Sequence, residues 1–195
     1  MRNLSLRLII ALATFCVGVT CVSIWIVHRY SPSQRVKTDV PAEPGVPADT
    51  LITLQRTGCY GTCPSYTLTV AADGTVVFNA TAFWVEKDKT SYLKESGVIM
   101  SRVGREQLRQ LIFEFEKADY FSLSDSYTSN EDCPGSLATD MPSAYTSIQI
   151  GGRRKAISHY LGCMDKGEGL VFYPRELIRL EERIDEIVNT GRWLR

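Results

Sequence analysis

From Leu8 to Val27 the chain carries no charged residue and consists mostly of Leu, Ile, Val, Ala and Phe. A run of about 20 such residues, wound as a helix, just spans the hydrocarbon core of a bilayer. Trp25 and Tyr30 stand near its far end, where amphipathic rings favour the headgroup layer, and Arg2 and Arg7 stand at its near end. The sequence therefore predicts one N-terminal transmembrane helix within residues 1–30, acting as an uncleaved signal anchor in contact with the lipid bilayer. Two other readings stay open. A cleaved signal peptide has a shorter apolar core ending in small residues, whereas this run continues through Ile24, Trp25, Ile26 and Val27. A lipoprotein would use Cys21, but Thr20 is a poor residue to precede the modified cysteine. The basic residues flanking the run are nearly balanced, Arg2 and Arg7 against Arg29, Arg35 and Lys37. The short basic head favours an inside N-terminus, which puts the rest of the chain on the extracytoplasmic (periplasmic or extracellular) side as a single-pass protein.

Residues 31–49 change in character. Pro32, Pro41, Pro44 and Pro47 are spread among Ser, Lys, Asp and Glu without an apolar period. Such a stretch is a semi-extended linker. Residues 50–195 then form one domain of ordinary size. Across the whole chain 22 basic side chains balance 22 acidic ones. A nucleic-acid binder normally shows a basic excess or stripe, so that class of partner is not expected.

Within the domain, Ile52 and Leu54 alternate with Thr53 and Gln55, and Tyr66, Leu68 and Val70 alternate with Thr67 and Thr69. Period two means strands with one apolar face. Asp73-Gly74 between Tyr66–Val70 and Thr75–Asn79 is a hairpin signal, expected as a type I′ turn. Another pair is expected over 81–85 and 90–95, with Glu86-Lys87-Asp88-Lys89 at its turn. The period then becomes helical: Leu108, Leu111, Ile112 and Phe115 share a face from about Gly104 to Ala118. Ser143 to Ile150, a Gly151-Gly152 turn and Arg153 to Leu161 make a second hairpin. A last helix starts at Pro174, carries the stripe Leu177, Leu180, Ile184, Ile187 and Val188, and is expected to be capped by Gly191. Strands, helix, strands, helix reads as α+β: an antiparallel sheet with two helices packed on one face.

Cys16 and Cys21 fall in the membrane segment, leaving Cys59, Cys63, Cys133 and Cys163 in the domain. An even number in an exported domain suggests disulfides, with three connectivities. Gly58, Gly61 and Pro64 allow the tight turn a Cys59–Cys63 bond needs. Cys133 precedes one strand of the second hairpin and Cys163 follows the other, so the parsimonious pairs are Cys59–Cys63 and Cys133–Cys163. Chain-entropy arguments give about 2 kcal/mol for the short loop and about 4 for the long one. Three rivals remain. Cys59 and Cys63 would make a redox pair, although redox motifs have two intervening residues at a helix start rather than three in a loop. With Cys163 and His159 they would bind zinc, although an extended His159–Cys163 segment spans about 13 Å. The thiols would be free if the anchor were reversed.

The run Arg56-Thr57-Gly58-Cys59-Tyr60-Gly61-Thr62-Cys63-Pro64-Ser65-Tyr66-Thr67-Leu68 resembles an uncharacterised bacterial family, domain of unknown function 6438. Members share a Cys-Phe/Tyr-Gly-Thr-Cys-Pro-x-Tyr motif, an Asp-Gly hairpin, a helix ending near Tyr120-Phe121 and a closing helix before an Arg-Trp pair, here Arg192-Trp193. The resemblance covers about Leu51 to Leu194, with Cys133, Cys163 and residues 162–169 as an elaboration. It implies an exported, often membrane-tethered domain and brings no activity or site residues.

The chain has no Gly-x-Ser-x-Gly, Walker loop, paired metal-ligand histidines or dinucleotide-binding glycines, so no catalytic, cofactor or metal site is expected. His159 is the domain's lone histidine and reads as packed or surface rather than as a base. Glu131, Asp132 and Asp140 cluster in a long polar loop from Ser122 to Pro142. They are the candidate interaction residues, weighed against a solvated loop stapled by Cys133. Arg153-Arg154-Lys155 reads as a solvated strand edge. Two functions follow. One is a non-enzymatic membrane-tethered module binding an envelope protein or component. The other is a thiol-disulfide or metal-dependent enzyme centred on Cys59 and Cys63.

Overall fold

The computed structural model describes residues 45–61, 63–81, 97–165, 169–170 and 173–194. The expected membrane span at residues 8–27, most of the linker and the expected turn at residues 86–89 lie outside the described residues. Among those described, no helix is long and apolar enough to cross a membrane.

The chain is a mixed α+β domain. Alternation builds the first strands: β1 (Leu51–Arg56), β2 (Ser65–Ala71) and β3 (Thr75–Thr81) turn Ile52, Leu54, Tyr66, Leu68, Val70, Val76 and Phe78 inward. β4 (Gly97–Arg102) pairs with β3. After α1 (Arg105–Lys117) come short β5 (Ser126–Tyr127) and β6 (Ser136–Leu137), then the hairpin of β7 (Ser143–Ile150) and β8 (Arg153–Tyr160). β9 (Cys163–Asp165), β10 (Gly169–Leu170) and α2 (Arg175–Val188) complete the order. Among the described residues seven strands form one sheet in the order β4-β3-β2-β1-β7-β8-β5, antiparallel except where β5 runs parallel to β8. β6, β9 and β10 form a small second sheet.

The helical stripes Leu108, Leu111 and Phe115 and Leu177, Leu180, Ile184, Ile187 and Val188 belong to the same core cluster as the inward strand residues. Gln107 ties the two helices together. Its side-chain oxygen accepts the Gly104 N–H (3.0 Å) at the start of α1, and its amide donates to the Ile187 carbonyl (2.9 Å) near the end of α2. Trp193, after α2, closes over Phe78 with ring centroids 4.6 Å apart.

Local differences from the sequence reading have physical causes. At Asp73-Gly74 only Gly74 has positive φ (81°), so the turn is not type I′. Asp73 instead accepts from the Thr75 N–H and hydroxyl, and a Cβ at position 74 would sit 2.5 Å from the Val103 carbonyl oxygen. The turn with positive φ at both residues is Gly151-Gly152. Asn189, in the left-handed conformation (φ 60°), caps α2, and Gly191 lies inside the following 3-10 turn. Pro174 is the residue before the helix rather than its first turn. In the basic run after the hairpin Arg153 and Arg154 are exposed, as expected of an edge, but Lys155 is not solvated. Arg153 stacks on the Phe121 ring, the largely buried Lys155 bonds Asp125 (2.8 Å) and the Leu123 carbonyl (2.5 Å), and β5 pairs further along β8, at Ser158 and His159.

The last linker residues pack onto the domain. Val46 joins the core. The Asp49 carboxylate accepts the Gly151 and Gly152 N–H groups at 2.8 and 2.7 Å, and these two bonds hold its pKa below the ordinary carboxylate value.

Candidate functional site

One end of the main sheet gathers the residues with chemistry. The register places Arg56 opposite Ala144 and Ser143 opposite Tyr160, so the end of β1, the start of β7 and the end of β8 coincide. Both disulfides form at this end: Cys59–Cys63, between β1 and β2, and Cys133–Cys163, which joins the loop before β6 to β9. Main-chain bonds knit the connections together. Thr57 N–H donates to the Ser143 carbonyl (2.9 Å), the Thr57 hydroxyl accepts from the Ser143 N–H (2.8 Å), and Tyr60 N–H donates to the Asp140 carbonyl (3.0 Å). The Tyr160 hydroxyl accepts from the Met141 N–H and donates to the Ala138 carbonyl. Gly162 is needed for this closeness, since a Cβ there would lie 2.4 Å from the Tyr160 ring. Tyr60, between the first two cysteines, is 90% exposed.

Below these loops lies a buried pair. His159 points inward from β8 and Glu181 lies in the middle of the apolar stripe of α2; each is 1% exposed. His159 Nδ1 is 3.2 Å from Glu181 Oε2, and Nε2 is 3.0 Å from the Tyr173 carbonyl oxygen. A carbonyl only accepts, so Nε2 carries a proton. Nδ1 and the Glu181 carboxyl face each other in the second hydrogen bond of the ring. The Thr146 hydroxyl donates to Glu181 Oε1 (3.0 Å), and the Tyr120 hydroxyl donates to the Thr146 carbonyl (2.6 Å). The lone histidine is thus a satisfied packed residue joining the sheet to α2. The zinc set suggested by sequence does not assemble: Cys59, Cys63 and Cys163 are in disulfides, and no group of three potential ligands occurs among the described residues.

Beside it, Asp185 accepts from Arg56 Nε (2.9 Å), the Tyr66 hydroxyl (2.5 Å) and the Thr190 hydroxyl (2.9 Å). Burial opposes the charge on Arg56, but the Asp185 carboxylate more than restores it, so the guanidinium holds its proton more firmly than usual. Burial, then Asp185, push the Tyr66 phenol well above its ordinary value; burial, then Glu181, do the same to Tyr120. A phenol raised in the folded state contributes stability that is fully present below its unfolded pKa and lost as pH rises through the folded one. Above about pH 10 the unfolding free energy should fall by roughly 1.4 kcal/mol per pH unit for each of these tyrosines. Urea titrations from pH 8 to 11.5 on the chain and on Tyr66→Phe and Tyr120→Phe would measure it. Each substitution should remove one share of the slope, and unchanged slopes would refute the assignment.

Between these two networks is a cavity of about 210 Å³. Its lining includes the polar residues Arg56, His159 and Glu181, the apolar Met141, Leu161 and Ile178, the aromatic Tyr160 and Tyr173, and the exposed Glu182.

A family model described as Domain of unknown function (DUF6438) matches residues 50–188. The chain belongs to this family. No curated protein matches the chain significantly. The span matched to the DUF6438 model contains Arg56, the four domain cysteines, His159, Glu181 and Asp185, whereas the Arg192-Trp193 pair lies beyond it.

In this DUF6438 domain the acidic loop residues have different local surroundings. The Asp132 carboxylate accepts from the Thr128 and Ser129 N–H groups and the Ser129 hydroxyl, stabilising its own 3-10 turn and lowering its pKa. Glu131 is exposed on the same turn, and its pKa is lowered chiefly by the Ser129 side chain. Asp140, exposed with φ 61°, sits instead against the Cys59–Cys63 connection through its carbonyl.

Sequence reasoning missed Glu181, Asp185 and Arg56. A signal was present for the first: Glu181 falls four residues after Leu177 and three before Ile184, a carboxylate within an apolar face.

Proposed function

We propose that this DUF6438 domain is a membrane-tethered binding module on the extracytoplasmic side of a bacterial envelope, engaging an envelope protein or other component rather than catalysing a reaction. The observation carrying this reading is the Cys133–Cys163 bond. It closes a 30-residue separation between two buried cysteines, and such bonds persist in oxidising compartments. The apolar run from Leu8 to Val27, the proline-bearing linker and the Cys-Tyr-Gly-Thr-Cys-Pro motif support it. The stapled loops at the cavity end give a surface that is ordered before binding, which lowers the entropy cost of association.

The test uses the full chain in a bacterial host. Protease added outside intact spheroplasts should digest the domain, and alkylation before reduction should leave all four domain cysteines unmodified. A domain protected from external protease, or thiols that react without reduction, would overturn the reading.

The rival, a thiol-disulfide or metal-dependent enzyme at Cys59 and Cys63, draws on the exposure of Tyr60 between them, which leaves that loop accessible. Replacing both cysteines by serine should preserve the fold and cost about 2 kcal/mol or less, the worth of a short closed loop. A dithiol-oxidising activity that vanishes in this variant while the fold persists would establish the enzyme instead.

A further inference from the structure

We propose that the cavity floored by His159 and Glu181 binds a small organic cation with an apolar body, an amine or a quaternary ammonium. This gives the binding module a ligand class and rests on that reading.

Size comes first. A cavity of about 150 Å³ lined by apolar side chains accommodates benzene; this one, at about 210 Å³, has room for a ring and a short chain. Its wall of Met141, Leu161 and Ile178 suits an apolar body. Tyr160 and Tyr173 are also among its lining residues, and aromatic side chains attract ammonium groups. Tyr173 is steadied by an edge contact with Tyr127 (centroids 6.2 Å), which in turn makes one with His159 (6.4 Å).

Charge decides the class. Arg56 is neutralised by Asp185 at 2.9 Å. His159 Nδ1 is hydrogen-bonded to the Glu181 carboxyl at 3.2 Å. That leaves Glu182, exposed at the cavity and in no ion pair among the described residues. The lining therefore carries one uncompensated negative charge. An anion would meet that charge with no unneutralised cation to offset it, whereas a cation would be attracted. Glu181 Oε2 has one hydrogen-bond partner, His159, and a carboxylate oxygen accommodates two, so an ammonium N–H has an acceptor at the floor.

The test uses the full chain, with both disulfides intact, in a maltoside detergent that carries no cation. Calorimetric titration compares four probes: phenethylammonium, benzyltrimethylammonium, 2-phenylethanol and phenylacetate. The two cations should bind saturably and more tightly than the alcohol, and phenylacetate should not bind. Glu182→Gln, at an exposed position, should weaken cation binding about two- to fivefold, the range of a partly exposed charge pair. Tyr173→Leu should weaken it by up to about tenfold. Leu161→Trp should fill the cavity and abolish binding, with melting and disulfide count showing that the fold is kept. No saturable binding by either cation, preference for the alcohol or phenylacetate, or cation affinity unchanged in both Glu182→Gln and Tyr173→Leu would overturn the proposal. The spheroplast result separates the two readings. Cation binding with an inward-facing domain leaves the site standing and removes the envelope role. An outward-facing domain that binds no cation does the reverse.

Discussion

Glu181→Ala should lower the unfolding free energy by about 3–5 kcal/mol, the cost of removing one partner of a buried pair. For a domain of this size that is a fall in melting temperature of roughly 10 °C or more. The substitution strips His159 Nδ1 and the Thr146 hydroxyl of their acceptor where almost no water enters, and it leaves a void between β8 and α2. The double change His159→Leu with Glu181→Met should cost less than Glu181→Ala alone. Replacing both partners by apolar groups of similar size removes the desolvation penalty along with the bond. Urea denaturation at pH 7 with the disulfides oxidised gives both values. A cost below about 1 kcal/mol for Glu181→Ala would show that the pair does not hold α2 to the sheet.

Asp185→Ala is the second large effect, about 3 kcal/mol or more. One carboxylate serves three donors from separate parts of the chain: Arg56 at the end of β1, Tyr66 at the start of β2 and Thr190 after α2. Without it the Arg56 guanidinium, 18% exposed, stays charged with no carboxylate beside it. Asp185→Asn keeps an acceptor oxygen but loses the charge, so its cost should fall between wild type and Ala. The same Ala substitution should shrink the alkaline loss of stability attributed to Tyr66, because it removes the second cause of that phenol's upward shift. An Ala variant as stable as the Asn variant would mean that the three donors find other partners.

The elements legible in the sequence are those with one face in the core. β2 alternates because its inward residues are apolar, and both helices show stripes for the same reason. The β7–β8 hairpin was marked by its Gly151-Gly152 turn, its inward face mixing Thr146 and His159 with Ala144, Ile148 and Ile157. β4 was not legible. Its burial alternates, but the exposed positions Val98 and Met100 are as apolar as the half-buried Ile99, so the sequence shows no alternation. β5 was invisible for a different reason: two residues make no period, and its parallel pairing to β8 comes from tertiary packing. The parsimonious disulfide pairs, read from a glycine-rich turn for Cys59–Cys63 and from hairpin ends for Cys133–Cys163, are the ones formed, whereas the Arg56–Asp185–Tyr66 node joins residues 129 and 119 positions apart and leaves no local pattern. Glu131, Asp132 and Asp140 drew attention because acidic residues crowd that stretch. Asp132 is explained by backbone N–H groups in its own turn, a local use that composition cannot distinguish from a binding role.

The grip of Asp49 on the Gly151-Gly152 turn bears on how the domain carries a load. Tension arriving along the preceding chain meets the packed Val46 and then this clasp, at the opposite end of the sheet from the cavity. It then passes to β1, which is hydrogen-bonded on both flanks, to β2 and to β7, in the interior of the sheet. A pull cannot peel away an edge; it must break the clasp and then open two ladders together. A tether at this point would therefore load an interior strand of the sheet rather than an edge.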